Sequence, residues 1–346
     1  MKKFFSASLY IFLIIPVAIG QHPSIDKKFF FTDQTILPVT IVTSMNKILG
    51  YSNPQKVNLY PSRFTYLLPD STTISQQVQI EIRGHYRREN CYMPPLRIIF
   101  TKKDSASSPL SSLKKLKLVN SCVQNSLYNQ YVLMEFLSYK IFNLLTEKSF
   151  RVRLTDVTYI DSSAKKKPFK NYAFFIEDVK EMAKRNKCRE YTAGRPKAEM
   201  TDRRQMTLVA LFEYMIGNTD WSVTGKHNVK TIISRKDSIG KPYAVPYDFD
   251  YSGLVNTPYA IPDPQLEIKS VTERVYRGFP RTMEELNESL AVFNKQKDSI
   301  FSLINNFELL TEKNKKYMIN YIDEFYSLIK DPRDVKYTFI NGARTQ

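Results

Sequence analysis

The sequence predicts an α+β fold in two parts, a strand-rich first half with one long helix and a mainly helical second half. Alternation of apolar and polar residues predicts strands at residues 77–82 and 96–100. An almost continuous apolar stretch at 127–145 predicts one long, deeply buried helix. Helical periodicity returns in three later segments, residues 206–216, 284–304 and 312–329. Strands followed in this order by helices are typical of an α+β architecture.

Shorter elements connect these segments. Two strand patterns at residues 151–160 and 172–176 flank a polar turn, which predicts a hairpin. Asp202 precedes the helical pattern that ends at Gly217, and its carboxylate can cap the first turn of that helix. Two further strands are predicted after the loop that follows this helix, at residues 229–234 and 243–247.

The patterns divide the chain into four segments. Residues 1–20 combine a basic start, an apolar stretch and small residues near their end, which is typical of a secretory signal peptide. The others are a strand-rich extension, a domain with the long helix and a mostly helical domain: residues 21–76, 77–183 and 184–346. We therefore expect an exported protein, either periplasmic or secreted to the cell surface. No later segment has the roughly 18 consecutive apolar residues of a membrane span, so none is expected in the mature chain.

The composition favours an anionic partner. The 346-residue chain carries 51 Lys and Arg against 34 Asp and Glu, a formal net charge of +17. The basic residues are dispersed along the sequence, so dedicated nucleic-acid binding is not expected. Three cysteines, Cys91, Cys122 and Cys188, allow one disulfide and one free thiol, and their spacing fits no zinc site.

Oxygen-bearing side chains gather in the stretch 217–250. Asp220 and Asn228 lie in the loop after a predicted helix, whereas Asp248 and Asp250 lie at the end of a predicted strand. Phosphoryl transfer needs one carboxylate near the acceptor hydroxyl, and it needs an amide oxygen and a second carboxylate to hold a metal ion. The order predicts Asp220 as the catalytic residue. It predicts Asn228 and Asp248 as ligands of Mg²⁺ or Mn²⁺, with Asp250 as a further metal ligand.

Between about residues 78 and 255 the chain resembles an atypical kinase of the bacterial spore-coat CotH kinase family. It is more distantly similar to HipA-like and phosphoinositide-kinase-like enzymes. The motifs that carry the resemblance occur in this order: Asn218-Thr-Asp220, His227-Asn228 and Asp248-Phe249-Asp250. The resemblance implies a two-lobed, protein-kinase-like fold, with a strand-rich N-lobe, a mainly helical C-lobe and a nucleotide cleft between them. It also implies ATP as the phosphate donor, bound with Mg²⁺ or Mn²⁺.

The resemblance implies further nucleotide-binding residues. Glu135, in the long helix, matches the residue that pairs with a phosphate-binding cation in kinases. Arg97, on a neighbouring strand, is the first candidate for that cation, and Arg83 is the second. Glu177 and Asp178 stand where a kinase hinge would contact adenine through its backbone. Structural interpretations of the same residues, as an ion pair, a cap or a turn, stay open.

Three functions remain open on the sequence. The first is an exported kinase that transfers the γ-phosphoryl group of ATP to a hydroxyl on a protein or glycan. The alternative is a catalytically inactive pseudokinase that acts as a binding or scaffold module outside the cytoplasm. The third is a metal-dependent hydrolase that uses Asp220, Asp248 and Asp250 around a metal-bound water. His227 could contact phosphate or pack within the fold, and packing is the favoured expectation.

Overall fold

The computed structural model describes residues 30–50, 58–68, 71–84, 86–100, 110, 113–237 and 239–344. The predicted signal peptide, residues 1–20, lies outside these ranges.

Seven strands close into a mixed β-barrel, in the order β1-β2-β3-β4-β5-β7-β6. Their bounds are β1 (Leu37–Thr43), β2 (Leu59–Leu67), β3 (Thr73–Ile82), β4 (Leu96–Phe100), β5 (Lys115–Asn120), β6 (Val152–Asp161) and β7 (Phe169–Ile176). Neighbouring strands are antiparallel except β1 and β6, which pair in parallel from Leu37 opposite Thr155 to Thr43 opposite Asp161. This parallel pair closes the barrel.

The predicted two-lobed, protein-kinase-like fold is therefore wrong. The prediction treated residues 21–76 as a separate extension, but β1 and β2 from that segment complete the same sheet as the later strands. Because β1 hydrogen-bonds to both β2 and β6, the strands form a closed barrel and not the open sheet of an N-lobe. The proposed boundary between residues 76 and 77 falls inside β3.

Three helices lie between barrel strands in the sequence, and the others lie in the second half of the chain. Their bounds are α1 (Met45–Leu49), α2 (Tyr86–Asn90), α3 (Ser126–Leu145), α4 (Val179–Arg185), α5 (Arg203–Met215), α6 (Met283–Asn305), α7 (Glu312–Leu328) and α8 (Pro332–Val335). A small sheet has the order β10-β9-β8, from β8 (Cys188–Glu190), β9 (Val229–Ser234) and β10 (Tyr243–Pro246). The predicted long helix and the hairpin of β6 and β7 are confirmed. Asp202 caps α5 as predicted, since its carboxylate accepts the Gln205 N–H at 2.8 Å.

Two apolar cores meet at the barrel wall. Alternate strand residues, among them Phe64, Ile80 and Leu118, fill the barrel interior. The second core lies between the barrel and the later helices, where α3 packs against β7 and α6. The rings of Phe142 on α3 and Phe212 on α5 lie 4.5 Å apart between their centroids. α3 therefore connects the barrel to the segment that carries the predicted site.

A disulfide joins Cys91 to Cys122, which ties the end of α2 to the segment between β5 and α3. Cys188 is a buried free thiol. Of the arrangements that three cysteines allow, the structure has one disulfide and one free thiol. Among the described residues, no helix combines the length and apolar character needed to cross a membrane.

Candidate functional site

Asn228 and Asp248 lie together at one end of the small sheet. Asn228 precedes β9 and Asp248 follows β10, and the Tyr247 N–H donates to the Asn228 carbonyl at 2.9 Å. Both residues have left-handed backbone angles, with φ of 50° at Asn228 and 68° at Asp248. Asn and Asp tolerate this conformation better than most residues with a side chain, because their short polar groups bond locally. The hairpin thus places two predicted metal ligands at adjacent backbone positions.

A chain of hydrogen bonds from α5 positions Asp220. The helix ends at Met215, and Gly217, with a φ of 64°, then turns the backbone away from it. Asn218 bridges this turn, because its amide donates to a Glu213 carboxyl oxygen at 2.9 Å and its carbonyl oxygen accepts the Asp220 N–H at 3.1 Å. Glu213 is only 1% exposed, and burial raises its pKa well above the usual range.

The Asp220 carboxylate is held by the two residues that close the loop. Its Oδ1 lies 2.7 Å from His227 Nε2, and its Oδ2 accepts the Asn228 Nδ2–H at 2.9 Å. The same amide donates to the Asp220 backbone carbonyl at 2.8 Å. Asp220 and Asn228 therefore converge as predicted. The expectation that His227 packs within the fold is wrong, since its side chain is 57% exposed and contacts Asp220.

Phe249 anchors the two carboxylates on either side of it. Its ring is fully buried, 4.6 Å from the Tyr139 ring and 5.4 Å from the Phe212 ring between centroids. The Asp248 N–H donates to the Tyr139 hydroxyl at 2.8 Å, so α3 fixes the backbone at Asp248. Asp250 is buried, with 5% exposed surface, and accepts a hydrogen bond from the Tyr259 hydroxyl at 2.8 Å.

Arg87 is the cation next to Glu135. Its Nη1 lies 3.9 Å from Glu135 Oε2 and 3.8 Å from Asp250 Oδ2, so one guanidinium faces two buried carboxyl groups. Burial raises the pKa of Asp250 to about 7, and repulsion by Asp248 adds to the rise. The pKa of Glu135 also rises well above its usual range, because of burial and the nearby Asp250 and Asp248 carboxylates.

The predicted pair of Arg97 with Glu135 is wrong. Arg97 Nη1 instead contacts both carboxyl oxygens of Glu81, at 2.7 and 2.9 Å. The strand register explains the pair, because Glu81 on β3 lies directly opposite Arg97 on β4. Whether Arg97 also contacts a nucleotide remains a prediction.

Three cations, Arg83, Lys117 and Lys230, gather around Tyr247 and Asp248; we call them the cation cluster. The amines of Lys117 and Lys230 lie 5.8 and 5.5 Å from the centroid of the Tyr247 ring. Arg83 interacts electrostatically with Asp248, and burial lowers its pKa. Burial, with repulsion from Arg83 and Lys230, lowers the pKa of Lys117 to about 8. Among the described residues, no carboxylate oxygen lies within 4.0 Å of these three side chains.

Sequence reasoning identified Arg83 but missed Lys117 and Lys230. A signal for Lys117 was present, because β5 alternates as Lys115, Leu116, Lys117, Leu118. The leucines fill the barrel, so the lysines point to its outer face.

Glu177 and Asp178 have structural roles at the end of β7. Glu177 accepts hydrogen bonds from the Arg185 guanidinium at 2.9 and 3.2 Å, and Asp178 caps α4 by accepting the Lys180 N–H at 2.9 Å. Asp178 also lies 3.4 Å from Lys115 Nζ. Both acids line a cavity of about 690 Å³. Their predicted contact with adenine is a backbone contact, and it remains a prediction.

The side-chain oxygens of the site are ligands that a hard cation prefers. Asp220, Asn228 and Asp248 offer carboxylate and amide oxygens, which Mg²⁺ and Mn²⁺ prefer. Within the ranges that the structure describes, no group of three or more His, Cys, Asp or Glu side chains is arranged to hold a metal ion. The predicted metal ligands are Asn228, Asp248 and Asp250, which supply one amide oxygen and two carboxylates. A metal here would therefore also need oxygens from a bound phosphate.

Comparison with known proteins assigns no family. No family model matches the sequence, and no curated protein matches it. The resemblance to spore-coat kinases therefore remains a prediction, and the function has to be argued from the side chains.

Proposed function

We propose that this chain is a metal-dependent phosphotransferase that transfers the γ-phosphoryl group of ATP to a hydroxyl on a protein or glycan. The observation that carries the proposal is the cation cluster beside Asp248, which has no ion-pair partner among the described residues. Cations that are desolvated and repel one another cost stability unless a ligand supplies the missing negative charge. A polyphosphate chain that reaches a metal-binding carboxylate meets that need.

Asp220, at the other side of Asn228, suits the acceptor end of the reaction. Its carboxylate is about one third exposed, and His227 and Asn228 fix its orientation from both sides. A fixed carboxylate can accept the proton of an incoming hydroxyl and hold its oxygen in line with the phosphorus. Asn228 serves both the acceptor side and the metal side of the site. Its amide nitrogen donates hydrogen bonds to Asp220, and its amide oxygen can bind a cation.

A divalent cation would be held by Asp248 and the Asn228 amide oxygen, and it would neutralise charge on the transferred phosphoryl group. The protein fixes this pair before any ligand arrives. The backbone bond from Tyr247 to Asn228 sets their spacing, and the Tyr139 hydroxyl holds the Asp248 N–H. Such preorganisation lowers the cost of gathering charged groups at the moment of reaction.

Export is part of the proposal. The Cys91–Cys122 disulfide suits an oxidising compartment, and the leader-like pattern at residues 1–20 suits a chain that is secreted or periplasmic.

Melting temperatures with and without Mn-ATP test nucleotide binding. A ligand at about 100 times its Kd stabilises a native state by about 2.7 kcal/mol, which a thermal scan resolves. We expect the parent to show this rise, and we expect Asp248→Asn and Lys117→Met to lose most of it. Asp323→Asn is the matched control, because Asp323 is half exposed on α7 and paired with Lys297. A parent chain whose melting temperature ignores Mn-ATP would contradict the proposal.

An inactive binding module is the second candidate, and one observation favours it. Both carboxylate oxygens of Asp220 already accept hydrogen bonds or contact His227, so an acceptor must compete with these contacts. Transfer of labelled phosphate from γ-labelled ATP to the chain itself or to added protein separates the two. Label transfer that disappears in Asp220→Ala supports the enzyme. Mn-ATP binding without transfer, equal in parent and variant, supports the module.

A further inference from the structure

Arg277 lies beside both sequence neighbours of Asp220, the backbone of Thr219 and the ring of Trp221. Its Nη1 donates to the Thr219 carbonyl, and its guanidinium carbon lies 5.9 Å from the centroid of the Trp221 ring. Its Nε is buried and has no partner among the described residues. Arg277 therefore lies against both sequence neighbours of the predicted catalytic residue.

Arg344 is a second basic residue that lies close to the Arg277 segment. Its backbone N–H donates to the Gly278 carbonyl at 2.9 Å, which seats it next to Arg277 in space. Burial, followed by repulsion from Arg344, lowers the pKa of Arg277 to about 10. Burial also lowers the pKa of Arg344.

Among the described residues, the acids near this arginine pair act on it only weakly. Asp263, Asp220 and Glu213 attract Arg277 only over longer distances. In the described part of the chain, no carboxylate lies within 4.0 Å of either guanidinium. Asp263 is also occupied, because its carboxylate caps a short turn by accepting the Gln265 N–H at 3.0 Å.

We infer that Arg277 and Arg344 form an anion-binding subsite beside Asp220, which recognises acidic peptides with a carboxylate close to the acceptor hydroxyl. The role as an acceptor subsite rests on the proposed function, whereas the binding of an acidic peptide does not. Guanidinium groups bind carboxylates through paired N–H donors, and two of them select against a cationic acceptor.

The surface around Asp220 favours a peptide over a carbohydrate as the source of the carboxylate. Three tyrosines, Tyr86, Tyr251 and Tyr259, lie with ring centroids 5.9 to 6.0 Å apart. Tyr251 is close enough to Asp220 to interact with it electrostatically. Ile261, two residues beyond Tyr259, is 70% exposed. Aromatic and aliphatic side chains together suit apolar peptide side chains next to the acidic ones.

Trp221 gives a direct readout, because it is the single tryptophan of the chain and lies beside Arg277. Its fluorescence is followed while a short serine peptide rich in Asp and Glu, without aromatic residues, is added in the absence of nucleotide and metal. We expect saturable binding that weakens at high salt. Arg344→Gln should weaken it at least about tenfold, because hydrogen bonds to charged groups are lost. The peptide affinity of Arg344→Lys should lie between those of the parent and of Arg344→Gln.

Arg333→Gln is the control, since Arg333 is 91% exposed at the start of α8 and pairs with Asp331. It should bind the peptide as the parent does. Equal affinity in parent and Arg344→Gln would overturn the subsite, as would equal binding of a lysine-rich peptide. Tighter binding of a sulfated oligosaccharide of matched charge would overturn the choice of a peptide. Because no nucleotide is present, a chain that fails to bind Mn-ATP can still confirm or overturn this subsite.

Discussion

Replacement of Lys117 by methionine should stabilise the protein while removing its affinity for polyphosphate. Lys117 lies on the outer face of β5, beside Tyr247, and it shares this position with the like charges of Arg83 and Lys230. Methionine keeps the length and flexibility of the side chain but carries no charge. The substitution therefore removes a half-buried positive charge that the attraction of Asp178 compensates only in part.

The pKa gives the size of the effect. The pKa of Lys117 falls from an ordinary value of 10.5 to about 8, mainly through burial. That difference corresponds to about 3 kcal/mol of preference for the uncharged form in the folded state. Lost packing by the aliphatic stem offsets little of it, since methionine retains most of the stem. We expect the free energy of unfolding of Lys117→Met to be about 1–3 kcal/mol higher than that of the parent at neutral pH, which raises the melting temperature by several degrees.

The pH dependence of stability separates this cause from a packing effect. Between pH 8 and 10.5 the unfolded parent holds more protons at Lys117 than the folded parent does. The free energy of unfolding of the parent therefore rises with pH across that window, and Lys117→Met lacks this rise. The advantage of the variant should be complete below pH 8 and should vanish near pH 10.5. Urea unfolding at a series of pH values measures the difference.

Lys115→Met is the matched control, because Lys115 is on the same face of the same strand but pairs with Asp178 at 3.4 Å. It should gain no stability, and it should keep the affinity of the parent for tripolyphosphate. Calorimetry adds a second readout. Tripolyphosphate that reaches Lys117 should raise its pKa and draw a proton from a buffer at pH 8 to 9. A variant that is no more stable than the parent, and that binds tripolyphosphate equally well, would refute the reasoning.

Three other substitutions test the frame that holds the site. Replacing Cys91 and Cys122 by serine should cost about 3–4 kcal/mol in urea unfolding, because the closed loop has a sequence separation of 31, and an unchanged midpoint would argue against the disulfide. Arg87→Met should cost about 3–5 kcal/mol, since it strands two buried carboxyl groups, and a loss below 1 kcal/mol would show that neither depends on it. Gly217→Ala should cost more than about 1 kcal/mol, because its Cβ would collide with the Tyr321 hydroxyl oxygen in a left-handed turn, and a fully stable variant would contradict this geometry.

The sequence predicted those parts of the fold that depend on local patterns. α3, the hairpin of β6 and β7, and the Asp202 cap all follow from periodicity or from one side chain near a helix end. Barrel closure has no local signal. It depends on the parallel pairing of β1 with β6, whose residues Leu37 and Thr155 are 118 positions apart. The short apolar pattern of β1 allows several partners, so only the assembled sheet selects one.

Some residues of the candidate site likewise have a local signal in the sequence, and others have none. Asp220, Asn228 and Asp248 could be found because each interrupts a helix or strand pattern with a polar residue at its end. Arg87 could not, since it lies in the five-residue helix α2 and reaches Glu135 only through the fold. Position along the chain favoured Arg97 for that role, but β-sheet register gave Arg97 the nearer carboxylate of Glu81.

That register also explains why Lys117 has no carboxylate opposite it on the neighbouring strands. Glu81, Arg97 and Lys117 lie opposite one another on β3, β4 and β5, so one acid faces two bases in a single row. The Glu81 carboxylate is already paired, because Arg97 donates to both of its oxygens. On its other side Lys117 lies opposite Ile176 on β7, so the row holds no second acid for it. Asp178 attracts Lys117 only beyond ion-pair distance, so binding of a polyanion beside Asp248 stays a prediction, which the tripolyphosphate titration tests.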